Sequence, residues 1–300
     1  MPMDLLIRKL RRHLLAWLHR SRSGQVYFVR RLAYKDVKRA TDDFHRIIYS
    51  NSQVAAYAAK FGDGGVSLVK EVKGFDQGND SFYSEVQFLG RLHHRHLLSL
   101  KGFSVRHKRL LIFDNIENGS LKEHLNDPLK TPLNWRTRLQ IAIGVVAALE
   151  YLFLFIEQPL CHVSISSSNI MLDENFTAKL SDFGLLTCGG NPVTMPYSRE
   201  SVGQKSGNII FQLGVFILEL VTGQSSEMEG SDLIQWIQES RFYSSIHKMI
   251  DPDLGNNYDS RELKNLLAVA KLCIKSRDKP LFTIPQLFRY LQQKVDIPRE

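Results

Sequence analysis

Four short stretches carry side chains of the types that handle anions and hard cations. Ser67-Leu68-Val69-Lys70 ends on a lysine, and Glu85 follows in the next stretch. The run from His162 to Asn169 reads His-Val-Ser-Ile-Ser-Ser-Ser-Asn, and Ser181-Asp182-Phe183-Gly184 supplies a second carboxylate. An ammonium is a point-charge partner for phosphate. Carboxylate and carboxamide oxygens are ligands of the kind that hold Mg²⁺. Singly, each of these residues reads better as a surface lysine or a solvated glutamate. What gives them weight is their order along the chain and the elements that would hold them.

Those elements change character part-way along. Residues 26–75 read as short strands, with Gly62-Asp63-Gly64-Gly65 as a turn between Tyr57–Phe61 and Val66–Val72, hence a hairpin that ends near Lys70. Phe82, Val86 and Leu89 recur at helical spacing over 80–93 and carry Glu85. Strands return at Leu97–Val105 and Arg109–Phe113, joined by a basic turn, Arg106–Arg109. Beyond the break at Glu117-Asn118-Gly119-Ser120, five segments have helical patterns: Leu121–His124, Trp135–Phe155, Phe211–Thr222, Asp232–Glu239 and Arg261–Lys275. The division is residues 1–31 as a basic leader, 32–116 as a β-rich lobe and 117–297 as a mainly helical lobe.

Read together, the four stretches resemble a protein kinase domain, in particular that of the plant receptor-like kinase group. Tyr34-Lys35-Asp36-Val37 with Ala40-Thr41-Asp42-Asp43-Phe44 resembles the sequence with which that group's domain opens. Leu92-His93-His94-Arg95-His96-Leu97, Glu117-Asn118-Gly119-Ser120-Leu121, Leu172-Asp173-Glu174-Asn175-Phe176 and Leu218-Glu219-Leu220-Val221-Thr222-Gly223 are similar to it too. The likeness runs from about residue 32 to near 295. It implies an α+β, bilobal kinase-like fold with a β-rich N-lobe and a mainly helical C-lobe. It also implies phosphoryl transfer, which is positioning plus charge neutralisation. By that resemblance Lys70, Glu85, Asn169 and Asp182 are the nucleotide-binding residues, with Lys70 fixed by Glu85 and with Asn169 and Asp182 on Mg²⁺. Leu89, Leu100, His162 and Phe183 align with the apolar stack that links the two lobes.

Other positions depart from the family pattern. The glycines of the phosphate-covering loop align with Tyr49, Asn51 and Val54, where glycine would serve close backbone approach. Leu68 stands where the family has alanine on the adenine roof, which implies weakened adenine binding or a collapsed pocket. In the catalytic loop Ser164 takes the place of the aspartate and Ser166 that of the lysine. A serine hydroxyl has no basic pKa near neutrality, and loss of a general base alone is worth ~10²–10⁴ in rate. Val163 replaces the arginine that pairs with a phosphorylated loop. Ile209 stands where a buried aspartate anchors the catalytic loop. Glu200, after Arg199, is the remnant of the segment's closing motif, and Lys279-Pro280 stands where an Arg-Pro would pair with it; lysine lacks the bidentate fork. Thr187, Thr194 and Tyr197 are candidate phosphoacceptors.

Composition bounds the rest. The net charge is +8, but residues 1–31 alone hold eight Lys/Arg and one acid, so the remainder is near neutral and no nucleic-acid partner is expected. Leu6, Leu10, Leu14 and Trp17/Leu18 recur at helical spacing among Arg8, Lys9, Arg11 and Arg12. Residues 5–22 thus read as a basic amphipathic helix for an anionic membrane surface, with docking on the protein's own domain and an organelle transit peptide as the alternatives. Pro2 stands where N-myristoylation requires glycine. No stretch is expected to span a membrane: the longest candidate, Ile141–Ile156, is short and carries Glu150. Cys161, Cys188 and Cys273 are odd in number and far apart, as in a reducing compartment.

Three functions follow. The first is an inactive kinase-like protein, cytoplasmic and peripheral at the plasma membrane, a scaffold or allosteric partner of active receptor-like kinases or other signalling proteins. The second is a weakly active atypical Ser/Thr protein kinase that uses ATP and Mg²⁺. The third places the function in the leader, as an arm carried by an inert domain.

Overall fold

The computed structural model describes residues 29–50, 54–62, 64–73, 79–154, 162–184, 199–224, 233–239, 242–277 and 281–294. The hairpin forms around the glycine turn: β3 (Val54–Lys60) and β4 (Val66–Val72) pair antiparallel, from Val54 opposite Val72 to Lys60 opposite Val66. Gly64 turns the chain at φ +84°, a conformation L side chains resist. With β1 (Arg30–Arg31), β2 (Ile47–Ser50), β5 (Leu100–Val105) and β6 (Arg109–Asn115) these strands make one six-stranded sheet, in the order β1-β5-β6-β4-β3-β2. Lys70 lies on β4 between β3 and β6, opposite Ala56 and Leu111, so the lysine is held from both sides.

The reading of 26–75 as strands alone is corrected at Tyr34–Ala40, which forms a helix, α1. Its two buried residues, Val37 and Ala40, sit one turn apart and pack into a cluster with Tyr57, Val69, Leu110 and Ile112 on the sheet. Seven residues hold too few apolar positions to declare a period. After α1 the chain reverses through Asp42, Asp43 and Phe44, all with positive φ. The Thr41 hydroxyl donates to Val37 O at 2.9 Å and accepts from Phe44 N at 3.3 Å, which holds this turn.

Helix α2 (Asn79–Leu89) carries Glu85 beneath the sheet. The polar break ends in an N-cap: Ser120 and Glu123 form a reciprocal capping box that starts α3 (Leu121–Asn126). Helix α4 (Trp135–Leu154) is the longest apolar element, and in length and composition it meets the measure of a membrane-crossing helix, with 56% of its apolar window buried within the lobe. That corrects the expectation from Ile141–Ile156: the helix starts six residues earlier than that window. Its Arg138 is fully buried and donates to Leu133 O, Leu220 O and, at 2.6 Å, Asp251 Oδ2.

Helix α5 (Arg199–Thr222) begins twelve residues before the apolar pattern that predicts it at Phe211. It packs along α7 (Ser260–Lys275), and Gly214 permits the approach: a Cβ there would lie 2.8 Å from Cys273 Cβ. Between them a helical stretch at 233–238 and α6 (Phe242–Met249) follow, and α8 (Ile284–Lys294) closes the lobe. Neither α6 nor α8 was expected, although Ile284, Leu287, Phe288 and Leu291 in α8 recur at the i, i+3, i+4, i+7 spacing of an amphipathic helix. The architecture is the expected α+β arrangement of a β-rich lobe and a helical lobe, joined by one continuous core that includes Leu89, Phe113, Leu180 and Phe183.

Candidate functional site in the interlobe cleft

The candidate residues converge on a cleft of about 830 Å³ between the lobes, lined by Lys70, Glu85, His162, Ser164, Ser166, Asn169 and Asp182. Two paired strands position the lower set. β7 (His162–Val163) pairs antiparallel with β10 (Phe183–Gly184), and Ser164 N donates to Asp182 O at 2.9 Å. β8 (Ile170–Leu172) pairs with β9 (Ala178–Leu180), which brings Asn169 against Ser181: Ser181 N and Oγ both donate to Asn169 O, at 3.0 and 2.9 Å.

Lys70 Nζ donates to Ser181 O at 2.8 Å and to Asp182 Oδ1 at 3.4 Å. His162 Nε2 lies 3.3 Å from the same carboxylate oxygen. Burial alone would raise the Asp182 carboxyl; Lys70, aided by His162, overcomes it and holds Asp182 well below the ordinary carboxylate range. Burial alone would likewise lower Lys70, yet Asp182, with help from Tyr49, holds the ammonium above its usual value. The pair is ionised across the physiological range.

Glu85 is buried in the same cleft, with its carboxylate packed against Gly184; a side chain at that glycine would collide with Glu85 Oε1. The ion pair between Lys70 and Glu85 that the resemblance implies is not among the contacts of Lys70 with the described residues: the ammonium is drawn to Asp182 instead. Asn169 Nδ2 donates to Ser164 Oγ at 3.0 Å, so the two are tied to each other. Ser166 lines the cleft half-buried, at the start of the short helical turn Ser167–Asn169. Val163 is buried, paired with Phe183.

The roof of the cleft differs from a glycine loop in kind. Tyr49 lines the cleft with its ring centroid 5.8 Å from Lys70 Nζ. Val54 lines it from strand β3. Leu68, Lys70 and Val72 share one face of β4 by the twofold period of a strand. Lys70 and Val72 line the cleft, whereas Leu68 is fully buried in the core, in the cluster that holds Ala56 and Phe113. The cleft stands open beside the buried Leu68, which corrects the alternative of a collapsed pocket. Of the expected apolar stack, Leu89 and Phe183 are buried together, Leu100 packs at their edge and His162 is half-buried.

Sequence reading missed two residues that hold the catalytic loop. Gln212 Oε1 accepts from Ile165 N at 2.8 Å, and Glu219 Oε2 accepts from Ser167 N at 3.0 Å. Both lie on α5, one and three turns beyond Ile209, which is itself buried. The signal was available: Gln212 follows Ile209 at the i+3 spacing that shares a helix face. Residues 5–22, Asn51, Cys161, Thr187, Cys188, Thr194, Tyr197 and Lys279-Pro280 lie outside the described residues, as do the side chains of Arg199 and Glu200.

The comparisons with known proteins agree with this geometry. Residues 57–202 match the family model for protein tyrosine and serine/threonine kinases. A probable receptor-like protein kinase of Arabidopsis thaliana is 36% identical over 303 residues, which covers 93% of this chain and 45% of that protein. A probable leucine-rich-repeat receptor-like serine/threonine kinase of the same plant is 31% identical, over 91% of this chain and 33% of that protein. The chain thus spans less than half the length of these two relatives. Among solved structures, the pseudokinase domain of BIR2, an immune regulator of the RLK/Pelle family, superposes with a TM-score of 0.75 at 26% identity, over 92% of this chain and 87% of that one. The pseudokinase DRIK1 superposes with a TM-score of 0.66 at 20% identity, over 90% and 98% respectively, a likeness of fold. With its two lobes, its cleft and the order of its motifs all in agreement, the chain belongs to the plant receptor-like protein kinase family.

Proposed function

We propose that this kinase-like domain is catalytically impaired and works as a scaffold or allosteric partner of active receptor-like kinases, on the cytoplasmic side of the plasma membrane. The observation that carries this reading is the group at the reaction point. The Ser164 hydroxyl stands there and accepts a hydrogen bond from Asn169. A hydroxyl cannot take the substrate proton at neutral pH as a carboxylate does. The residues that would receive a nucleotide and Mg²⁺ are satisfied from within: Asp182 Oδ1 already faces Lys70 and His162, and Tyr49 stands beside the ammonium. A metal–nucleotide would have to draw Asp182 Oδ1 away from Lys70 and His162. Residues 5–22 bring the domain to an anionic membrane surface in this reading, and no nucleic acid is a partner.

Thermal unfolding of the protein with and without saturating Mg²⁺ and ATP tests the reading. Bound ligand at a hundredfold excess over Kd stabilises by roughly 2.7 kcal/mol, which would move the midpoint of a domain this size by at least ~2 °C. No shift is expected. A clear Mg²⁺-dependent shift, together with phosphotransfer that Asp182→Ala abolishes, would overturn it. The same outcome would establish the second reading, a weakly active atypical Ser/Thr kinase. The feature in favour of that reading is that Lys70, Glu85, Asn169 and Asp182 all line one open cleft.

A further inference from the structure

We infer that the folded N-lobe carries its own contact for an anionic bilayer, formed by the edge strand β1 and the turn between β5 and β6. This rests on the reading that residues 5–22 bring the chain to such a surface.

The parallel pairing of β1 with β5 sets Arg30 opposite Gly102 and Arg31 opposite Phe103, at the outer edge of the sheet. Both arginines are exposed. Arg31 Nη2 reaches Val105 O at 3.4 Å, which places its guanidinium beside the turn that begins at Arg106. The turn also touches α1: the His107 ring lies 5.0 Å from that of Tyr34, next to exposed Lys35. At this corner of the lobe Arg31 therefore reaches the turn at Arg106, with Lys35 beside that turn next to Tyr34 and Arg30 adjacent on the other face of the same edge strand.

What makes the corner basic is how the nearby acids are used. Glu71 accepts from Tyr57 and from Lys108, and Asp114 pairs with Lys101. Lysines further in thus neutralise the carboxylates of the neighbouring strands. Among the described residues no carboxylate lies within ion-pair distance of Arg30, Arg31, Lys35 or Arg106; Asp36, half-buried on the first turn of α1, is the nearest acid in sequence. The four residues do not line the interlobe cleft. An extended surface of negative charge fits them. The adjoining chain chooses among such surfaces. The basic segment ends seven residues ahead of β1, and its Leu6, Leu10, Leu14 and Trp17 alternate with basic residues in the pattern of a bilayer-surface helix. Each basic residue acts only within about a Debye length, ~10 Å, so the contact requires the corner to lie against the bilayer itself.

The test is partition of the full chain onto vesicles of phosphatidylcholine alone and of equal parts phosphatidylcholine and phosphatidylserine, at low and high salt. Each basic residue near such a surface contributes about fivefold in partition. Arg30→Gln/Arg31→Gln/Arg106→Gln, checked for an unchanged melting temperature, is expected to lose roughly a hundredfold on phosphatidylserine vesicles, with a shallower salt dependence. Arg8→Gln/Lys9→Gln/Arg11→Gln/Arg12→Gln is expected to weaken binding and leave a salt-sensitive remainder. If the triple variant partitions like the wild type while the segment variant loses all binding, the corner is overturned and the segment stands. If the segment variant binds unchanged and the triple variant does not, the segment reading falls and the corner stands. Equal binding of the wild type to both vesicle types, or retention only by an acidic polypeptide column, would overturn the corner contact.

Discussion

The helical lobe and the roof of the cleft treat polar groups in opposite ways. In the helical lobe buried polar groups are paired through the backbone. Arg138 ties α4 to α5 and to Asp251, while Gln212 and Glu219 hold the catalytic loop by its N–H groups. On the roof, positions that serve a nucleotide by being small are filled with side chains: Tyr49 beside Lys70, Val54 on its strand, Leu68 in the core. The frame of the cleft depends on backbone hydrogen bonds, which are indifferent to whether position 164 is aspartate or serine. The chemistry depends on side chains and on empty space, and those are what changed. A kinase fold can therefore lose its reaction without losing its shape.

The largest test of that contrast is Arg138→Ala. It leaves Asp251 buried without its partner, and breaking a buried pair costs about 3–5 kcal/mol, read by chemical denaturation. A cost under about 1 kcal/mol would mean that the frame does not rest on this pair. Leu68→Ala probes the packing behind the roof: removing a fully buried leucine costs about 3 kcal/mol, within the range for such cavities. Should stability be unchanged, the roof is not packed as described. Stabilisation of this variant by ATP, where the wild type shows none, would identify Leu68 as the barrier to adenine.

Asp182→Asn is smaller. It leaves the Lys70 ammonium uncompensated, yet Asp182 is 28% exposed, so about 2 kcal/mol is expected rather than the full cost of a buried pair. The pH dependence has a definite sign. The depressed folded-state carboxyl contributes stability that is present above the unfolded value of about 3.9 and is lost as pH falls toward the folded one. The raised Lys70 contributes below its unfolded value of about 10.4 and loses this only at still higher pH. The difference between wild type and variant should be flat from about pH 5 to 9 and should shrink below about pH 4. A difference that grew on acidification would contradict the pairing. The smallest effect is Gln212→Ala, which strips Ile165 N–H of its acceptor at a cost of about 1–2 kcal/mol. Hydrogen exchange at that amide should rise with it.

Much of the fold was legible because its signals are local. The glycine turn between Tyr57 and Val66 specifies its hairpin, and Phe82, Val86 and Leu89 specify their helix, since each pattern lies within one element. The short helix at 34–40 was not legible, because seven residues are too few to show a period, whereas the helix at 284–294 was legible in Ile284, Leu287, Phe288 and Leu291 and went unread. The Lys70, Glu85, Asn169 and Asp182 set was legible through order and spacing. The partner of Lys70 was not: a buried ammonium takes the carboxylate nearest in space, and chain order placed Glu85 and Asp182 equally in view.

By itself the sequence determined which groups are present. Ser164 and Ser166 replace the base and the lysine, Tyr49 and Val54 replace glycines, and the basic charge concentrates ahead of the first strand. These are facts of composition and spacing, and no packing can restore a missing carboxylate. Only the tertiary structure decided how the remaining groups meet. Asp182 faces Lys70 and His162, Asn169 binds Ser164, and Gln212 serves as an anchor where Ile209 cannot. Most of those pairings join residues well separated in the chain, and they are set by strand register and by burial, where desolvation drives polar groups to partners, His162 Nδ1 being a buried exception among the described residues.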